Sequence, residues 1–253
     1  MRISVLGAGC IGGSIALKLN EKHRVFAFDQ SEDVTKALEE RGVRTALRQE
    51  DLFDTDLLIL ALPMAVEERF LKETEFTGKI LDVASVKTPF MEIAKERGLN
   101  FIGGHPMAGN ERKGKAGWDP EMFSGRIFFL CSPDEKKDDV VEGVVRDLGS
   151  RPVWIDYREH DRIVAAVSHV QYLISLSARF TGKPYEEYAG PGYQSNTRLS
   201  RQNMEMALDM IRYNKENILK YLENTRNFLN TLHNFIEKED FESLKKIIKE
   251  VVA

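Results

Sequence analysis

The sequence predicts an α/β fold, with a doubly wound parallel sheet over residues 1–155 and an all-helical domain over residues 156–253. Three observations carry this. Short β-rich runs alternate with helical patterns along the first part of the chain, the signature of βαβ units. Several of those runs are unbroken apolar stretches, as strands covered by helices on both faces require. After Ile155 the strand pattern stops and does not return.

The expected strands lie at residues 3–6, 25–28, 57–60, 80–83, 100–102, 127–130 and 153–155. The helical half opens on Asp156 followed three residues later by Glu159, the spacing of a capping box. Ile163, Val164, Val167, Val170 and Ile174 then recur at helical spacing. A stretch rich in Gly, Pro and Tyr, residues 182–193, reads as a loop. Beyond it Ile218, Leu222, Thr225, Leu229, Leu232 and Ile236 form a stripe spaced by four and three residues that must be buried somewhere. About 100 helical residues can share a core with a second copy, so a homodimer is expected.

Hydrophobic residues make up 42% and charged residues 30%, the mix of a soluble globular protein. No run of about 20 apolar residues suggests a membrane span. Met1 leads straight into a strand-like run, which leaves no room for a signal peptide and makes a cytoplasmic location the expectation. A net charge of −4 argues against nucleic acid as a partner. Cys10 and Cys131 are far apart, so neither a disulfide framework nor a metal site is expected, and both read as buried thiols.

Gly7-Ala8-Gly9-Cys10-Ile11-Gly12 directly follows the first strand and opens a helix. Gly7 allows the tight turn, Gly9 lets backbone approach a pyrophosphate, and Gly12 lets helix and strand pack closely. The free N–H groups of the helix start, including those of Cys10 and Ile11, face the phosphates. This marks a Rossmann-type dinucleotide domain. Asp29 ends the second strand, where a carboxylate accepts hydrogen bonds from ribose hydroxyls and repels a 2′-phosphate. Gln30 and Ser31 supply no compensating cation, so NAD is favoured over NADP.

Open parallel sheets bind ligands beyond the carboxyl ends of their strands. The loops there carry Gly9, Asp29, Pro63, Ser85 with Lys87, and His105. His105 sits between Gly104 and Pro106 in what reads as a rigid loop, and histidine is the natural base near neutral pH. Ser85 orients it or contacts the nicotinamide, unless it is simply a helix N-cap. In the helical half, His169 reads by itself as a satisfied core histidine. Arg198 and Arg201 are either a solvated face or a grip on a substrate carboxylate. His23, His160 and His233 carry no motif and read as surface residues.

Together these segments resemble the prephenate dehydrogenases and their arogenate-using relatives. The matching stretches are the glycine turn, Asp82-Val83-Ala84-Ser85-Val86-Lys87, Gly104-His105-Pro106-Met107-Ala108-Gly109, Ser168-His169 and Ala189-Gly190-Pro191-Gly192-Tyr193 with Thr197-Arg198 beyond. The resemblance implies an NAD-dependent oxidative decarboxylation in tyrosine biosynthesis, giving 4-hydroxyphenylpyruvate or tyrosine. It implies His105 as base and Ser85 as its partner, with Arg198, His169 and Glu111 on the substrate. The chain departs from the family pattern at Val170-Gln171-Tyr172, at Gln194-Ser195-Asn196 and near Ala207, which leaves prephenate, arogenate or both open. Two other readings compete: a different two-domain β-hydroxyacid dehydrogenase, and a non-catalytic NAD-binding protein. The first usually places a catalytic Lys in its second domain, and the second has no use for a base beside the nicotinamide.

Overall fold

The computed structural model describes residues 1–110, 112–134 and 136–252. Among them a single eight-stranded sheet runs in the order β3-β2-β1-β4-β5-β6-β7-β8. Its strands are β1 (Arg2–Leu6), β2 (Arg24–Phe28), β3 (Arg44–Thr45), β4 (Leu57–Leu60), β5 (Ile80–Asp82), β6 (Phe101–Pro106), β7 (Ile127–Cys131) and β8 (Arg151–Trp154). Helices α1 (Cys10–Leu19), α2 (Glu32–Glu39), α3 (Met64–Glu73), α4 (Thr88–Arg97) and α5 (Asp139–Asp147) are interleaved with them. Alternate residues of the central strands feed two separate cores. Ile3, Val5, Leu57 and Ile59 join Ala16, Leu19, Val141 and Val144 on one face. Leu58 and Leu60 join Leu71, Phe90 and Met91 on the other. The sheet is therefore doubly wound, and strand order reverses between β1 and β4, where such sheets open a ligand crevice.

The sheet is not parallel throughout. β6 pairs antiparallel with β7, His105 opposite Phe129. The cause is the connection: among the described residues only short 3₁₀ turns, Gly114–Gly117 and Pro120–Phe123, separate the two strands. Without a helix to carry the chain back across the sheet, the next strand must run down from the same rim. The short edge strand β3 is also absent from the sequence reading. β6 runs on through Pro106, so His105 is a strand residue and not part of a loop. Asp82 makes this possible, since its Oδ1 accepts the Gly104 N–H at 2.6 Å.

Asp156 caps α6 (Tyr157–Val164), accepting the N–H groups of Arg158 at 3.0 Å and Glu159 at 2.9 Å. The helix continues through a π turn, Ala165–His169, into α7 (Val170–Gly182). By length and composition this continuous helix could cross a membrane, contrary to the sequence reading. Its buried Asp161 ties it to the sheet, accepting two N–H groups at the start of α4. The stretch read as a loop folds as a 3₁₀ helix, Lys183–Tyr188, leading to α8 (Pro191–Thr197). A 3₁₀ turn (Arg198–Arg201), α9 (Met204–Tyr213), α10 (Lys215–Glu237) and α11 (Phe241–Val252) complete the chain. Along the α10 stripe Ile218 is buried while Leu229 and Ile236 are each 58% exposed, leaving an apolar face uncovered in the single chain.

Candidate active site

The first element of the site is the turn after β1. Gly7 has φ +90°, and a Cβ there would stand 2.5 Å from the Ala61 carbonyl oxygen. A Cβ on Gly12 would stand 2.0 Å from the Gly7 carbonyl oxygen, so α1 can start this close to the strand only with glycine. At Gly9 a Cβ would meet nothing within 4 Å, and the backbone above the helix start is open to a ligand. Gly9 caps α1 with no side chain on the free N–H groups, the arrangement that favours phosphate. Asp29 accepts the Ala8 N–H at 2.8 Å through Oδ2 and the Ser31 N–H at 2.9 Å through Oδ1. Each oxygen keeps acceptor capacity for a ribose hydroxyl. These features fit a dinucleotide.

The segment after β6 folds back over this turn. Trp118 donates its indole N–H to the carbonyls of Ala8 and Gly9, each at 3.0 Å. Cys10 Sγ donates to the Gly117 carbonyl at 3.2 Å and lies 3.7 Å from Asn110 Oδ1. Cys10 is therefore half-buried at the turn and not a core thiol. The strand that carries His105 and the dinucleotide turn are thus joined within a few residues.

At the end of β6, His105 Nδ1 lies 2.9 Å from Nε2 of His160, and His160 Nδ1 lies 2.8 Å from Asp161 Oδ1. Asp161 in turn accepts the backbone N–H groups of Lys87 and Thr88, both at 2.8 Å. His160 is fully buried, against its reading as a surface residue. Its neighbours Glu159, Asp161 and Arg162 resemble a solvated face in sequence, yet α6 turns this side onto the sheet. Lys87 is fully buried too, ion-paired with Asp82 and donating to the Gly104 carbonyl at 2.7 Å. It thereby locks the backbone before His105. Glu67 lies buried beside this pair; burial, then the Asp82 charge, raises its carboxyl well above the usual range.

Burial, then the neighbouring His160, Lys87 and His169, lowers the His105 pKa well below its ordinary value. Burial also lowers that of His160 against the pull of Asp161, and that of His169 to about 4. The imidazoles are neutral at pH 7, and His160 and Asp161 share a hydrogen bond rather than an ion pair. Burial alone would raise Asp161, but the bonds from His160 and Thr88 outweigh it and hold the carboxylate ionised. His169 is 1% exposed, accepts from Asn214 Nδ2 at 3.2 Å on Nδ1, and leaves its Nε2 buried with no partner among the described residues.

The family model for the nucleotide-binding domain of prephenate dehydrogenase matches residues 15–153, and that for its dimerization domain matches residues 156–250. The chain belongs to the prephenate dehydrogenase family. It is an NAD-dependent oxidoreductase. The first match begins just past the glycine turn, so that turn stands on its own geometry. The prephenate dehydrogenase of Lactococcus lactis subsp. cremoris (strain MG1363) is 26% identical, over 98% of this chain and 75% of its own. A crystal structure of prephenate dehydrogenase from A. aeolicus with hydroxyphenyl propionate and NAD+ superposes with a TM-score of 0.88 at 25% identity, covering 99% of this chain and 96% of that one. Synechocystis arogenate dehydrogenase has the same fold, with a TM-score of 0.80 at 24% identity and 99% and 97% coverage.

Within this member of the prephenate dehydrogenase family, the sequence-selected residues fall into three groups. Gly7, Gly9, Cys10, Ile11, Gly12 and Asp29 form the turn and its flank. His105 and His169 meet through the His160, Asp161 and Asn214 network. Ser85 stands half-buried in the bend between β5 and α4, while His105 Nδ1 is paired with His160. Pro63 caps α3 at the rim, exposed. Arg198 is exposed and lines, with Glu186, Ala189, Tyr193, Gln194 and Arg201, a cavity of about 310 Å³ that none of the histidines enters. Glu111 lies outside the described residues. Sequence reasoning missed His160, Asp161, Asn214 and Trp118. The π turn at Ala165–His169, a distortion common at functional sites, marks this region in the structure but leaves no periodicity in the sequence.

Proposed function

We propose that the protein oxidises the ring hydroxyl of prephenate or arogenate and releases the ring carboxylate as CO₂, with His105 as the base. The observation behind this is a neutral, half-buried imidazole at the carboxyl end of β6, beside an open dinucleotide turn. Bound NAD supplies the hydride acceptor. His105 Nε2 takes the hydroxyl proton as the carbon–hydrogen bond at C4 gives up its hydride. The bond from C1 to the carboxylate then breaks, its electron pair flows through the ring to the C4 oxygen, and that oxygen recovers the proton from His105. The ring ends aromatic and no net proton is consumed. Such general-base assistance is worth about 10²–10⁴-fold.

His169, with a buried N–H lacking a partner, offers a donor to a substrate oxygen. Arg198 grips a substrate carboxylate, Glu111 acts on the substrate as the family resemblance implies, and Ser85 steadies the nicotinamide side. Residues 1–155 hold the cofactor; residues 156–253 complete the substrate side. The uncovered face of α10 packs on a second copy, giving a homodimer. Two unpaired cysteines suit a reducing, cytoplasmic setting.

The test follows NADH absorbance with prephenate, arogenate and a panel of β-hydroxyacids. Turnover of at least one of the first two is expected. Turnover of only a β-hydroxyacid, or of nothing, overturns the proposal.

A further inference from the structure

We infer that His160 and Asp161 are positioning residues that hold His105 in the one tautomer able to act as a base, and that Asn214 holds His169 in the opposite tautomer. The inference rests on the reading of His105 as the base.

Hydrogen-bond inventory leads to this step by step. Asp161 is ionised and can only accept; Oδ1 receives the Lys87 N–H and Oδ2 the Thr88 N–H. His160 Nδ1, 2.8 Å from Oδ1, must therefore carry a hydrogen and donate it. A neutral imidazole then has a lone pair on Nε2. That lone pair faces His105 Nδ1 at 2.9 Å, so His105 donates from Nδ1 and its own Nε2 is bare. A bare Nε2 is what accepting a substrate proton requires. The second arm runs through Asn214. Its Oδ1 accepts from Asn217 Nδ2 at 2.8 Å, which orients the amide. Its Nδ2 donates to the Asp161 carbonyl at 2.8 Å and to His169 Nδ1 at 3.2 Å. His169 consequently carries its hydrogen on Nε2. One hydrogen-bonded network thus leaves an acceptor on His105 Nε2 and a donor on His169 Nε2.

The chain cannot easily rearrange. His160 is fully buried and meets the Phe129 ring edge-to-face at 5.3 Å and 82°. Turning the ring over would replace Nδ1 by Cδ2 and Nε2 by Cε1 and so lose both hydrogen bonds, and moving the proton to Nε2 would set a lone pair against the Asp161 carboxylate. Asp161 sits at the start of α4, where the helix dipole favours its charge. When His105 becomes an imidazolium, its Nδ1–H already has an acceptor, and behind that acceptor lies a fixed carboxylate. The arrangement follows the logic by which a buried aspartate selects a histidine tautomer in a hydrolase triad, lengthened by one imidazole.

The test uses the full chain labelled with ¹⁵N at histidine, each ring assigned by loss of signal in His105→Asn, His160→Phe and His169→Gln. In the wild type, at pH 7.5, His105 is expected to carry its proton on Nδ1 and His169 on Nε2. A wild-type His105 protonated on Nε2 overturns the inference, whatever the variants do. Kinetics give a second reading. His160→Phe keeps a planar ring and removes the acceptor; kcat should fall between about 10-fold and 10⁴-fold, the range for losing the orienting partner of a functional histidine. NAD affinity should not change, and His160→Gln, whose side-chain oxygen reaches the Nε2 position, should recover part of the loss. Unchanged kcat with the wild-type tautomer in His160→Phe refutes the positioning role. Should the wild type turn over neither acid, the activity reading falls while the tautomer measurement still decides this inference.

Discussion

Acid should destabilise this protein through His169, by an amount that follows from the burial of its ring. The residue is 1% exposed, and burial holds its pKa down to about 4 against an ordinary 6.5. Between those values the unfolded chain binds a proton that the folded chain refuses. This contribution is therefore complete above pH 6.5, shrinks as pH falls toward 4, and levels off below that. Each pH unit of the interval is worth about 1.4 kcal/mol, so the whole comes to about 3 kcal/mol, about 2 of it lost by pH 5. His105 and His160 are lowered by the same cause and add in the same direction. The assay is urea unfolding at pH 7.5 and 5.0, at one protein concentration, for the wild type and His169→Gln. The variant loses the titrating ring, so its stability should drop by about 2 kcal/mol less between the two pH values. An equal drop in both proteins would refute the claim that this imidazole is buried and neutral.

Lys87→Met should leave Asp82 buried without its counter-charge and cost about 3–5 kcal/mol, read as a lowered urea midpoint at unchanged slope. Gly12→Ala should abolish NAD binding by fluorescence or calorimetry, because its methyl would stand 2.0 Å from the Gly7 carbonyl oxygen. Arg198→Ala should chiefly raise KM for the acid substrate, since a carboxylate contact is made in ground and transition states alike. An unchanged KM would assign that contact to Arg201, its neighbour in the same cavity.

The sheet was legible where its causes are local. Gly7 and Gly12 announce a steric requirement in their identity, and the unbroken run from Leu57 to Leu60 announces a strand covered on both faces. The direction of β7 was not legible, because an apolar run such as Ile127–Cys131 reads the same whichever way it pairs. What turns it around is a connection without a helix. Two-residue β3 is too short to leave a pattern. In the site, His105 was visible because it stands at the carboxyl end of a strand, at the cofactor rim. His160 was invisible because its meaning depends on a partner 55 residues away and on which side α6 turns to the sheet. Ser85 was placed beside His105 because both were read as following strands at the same rim; the folded chain pairs His105 Nδ1 with His160.

The most direct test of the account compares wild-type protein with His105→Ala, measuring NAD affinity and single-turnover NADH formation with prephenate and arogenate. A base at the end of β6 requires unchanged NAD affinity with NADH formation slowed by about 10²–10⁴-fold. Wild-type rates in the variant, or a loss of NAD binding in place of turnover, would contradict it.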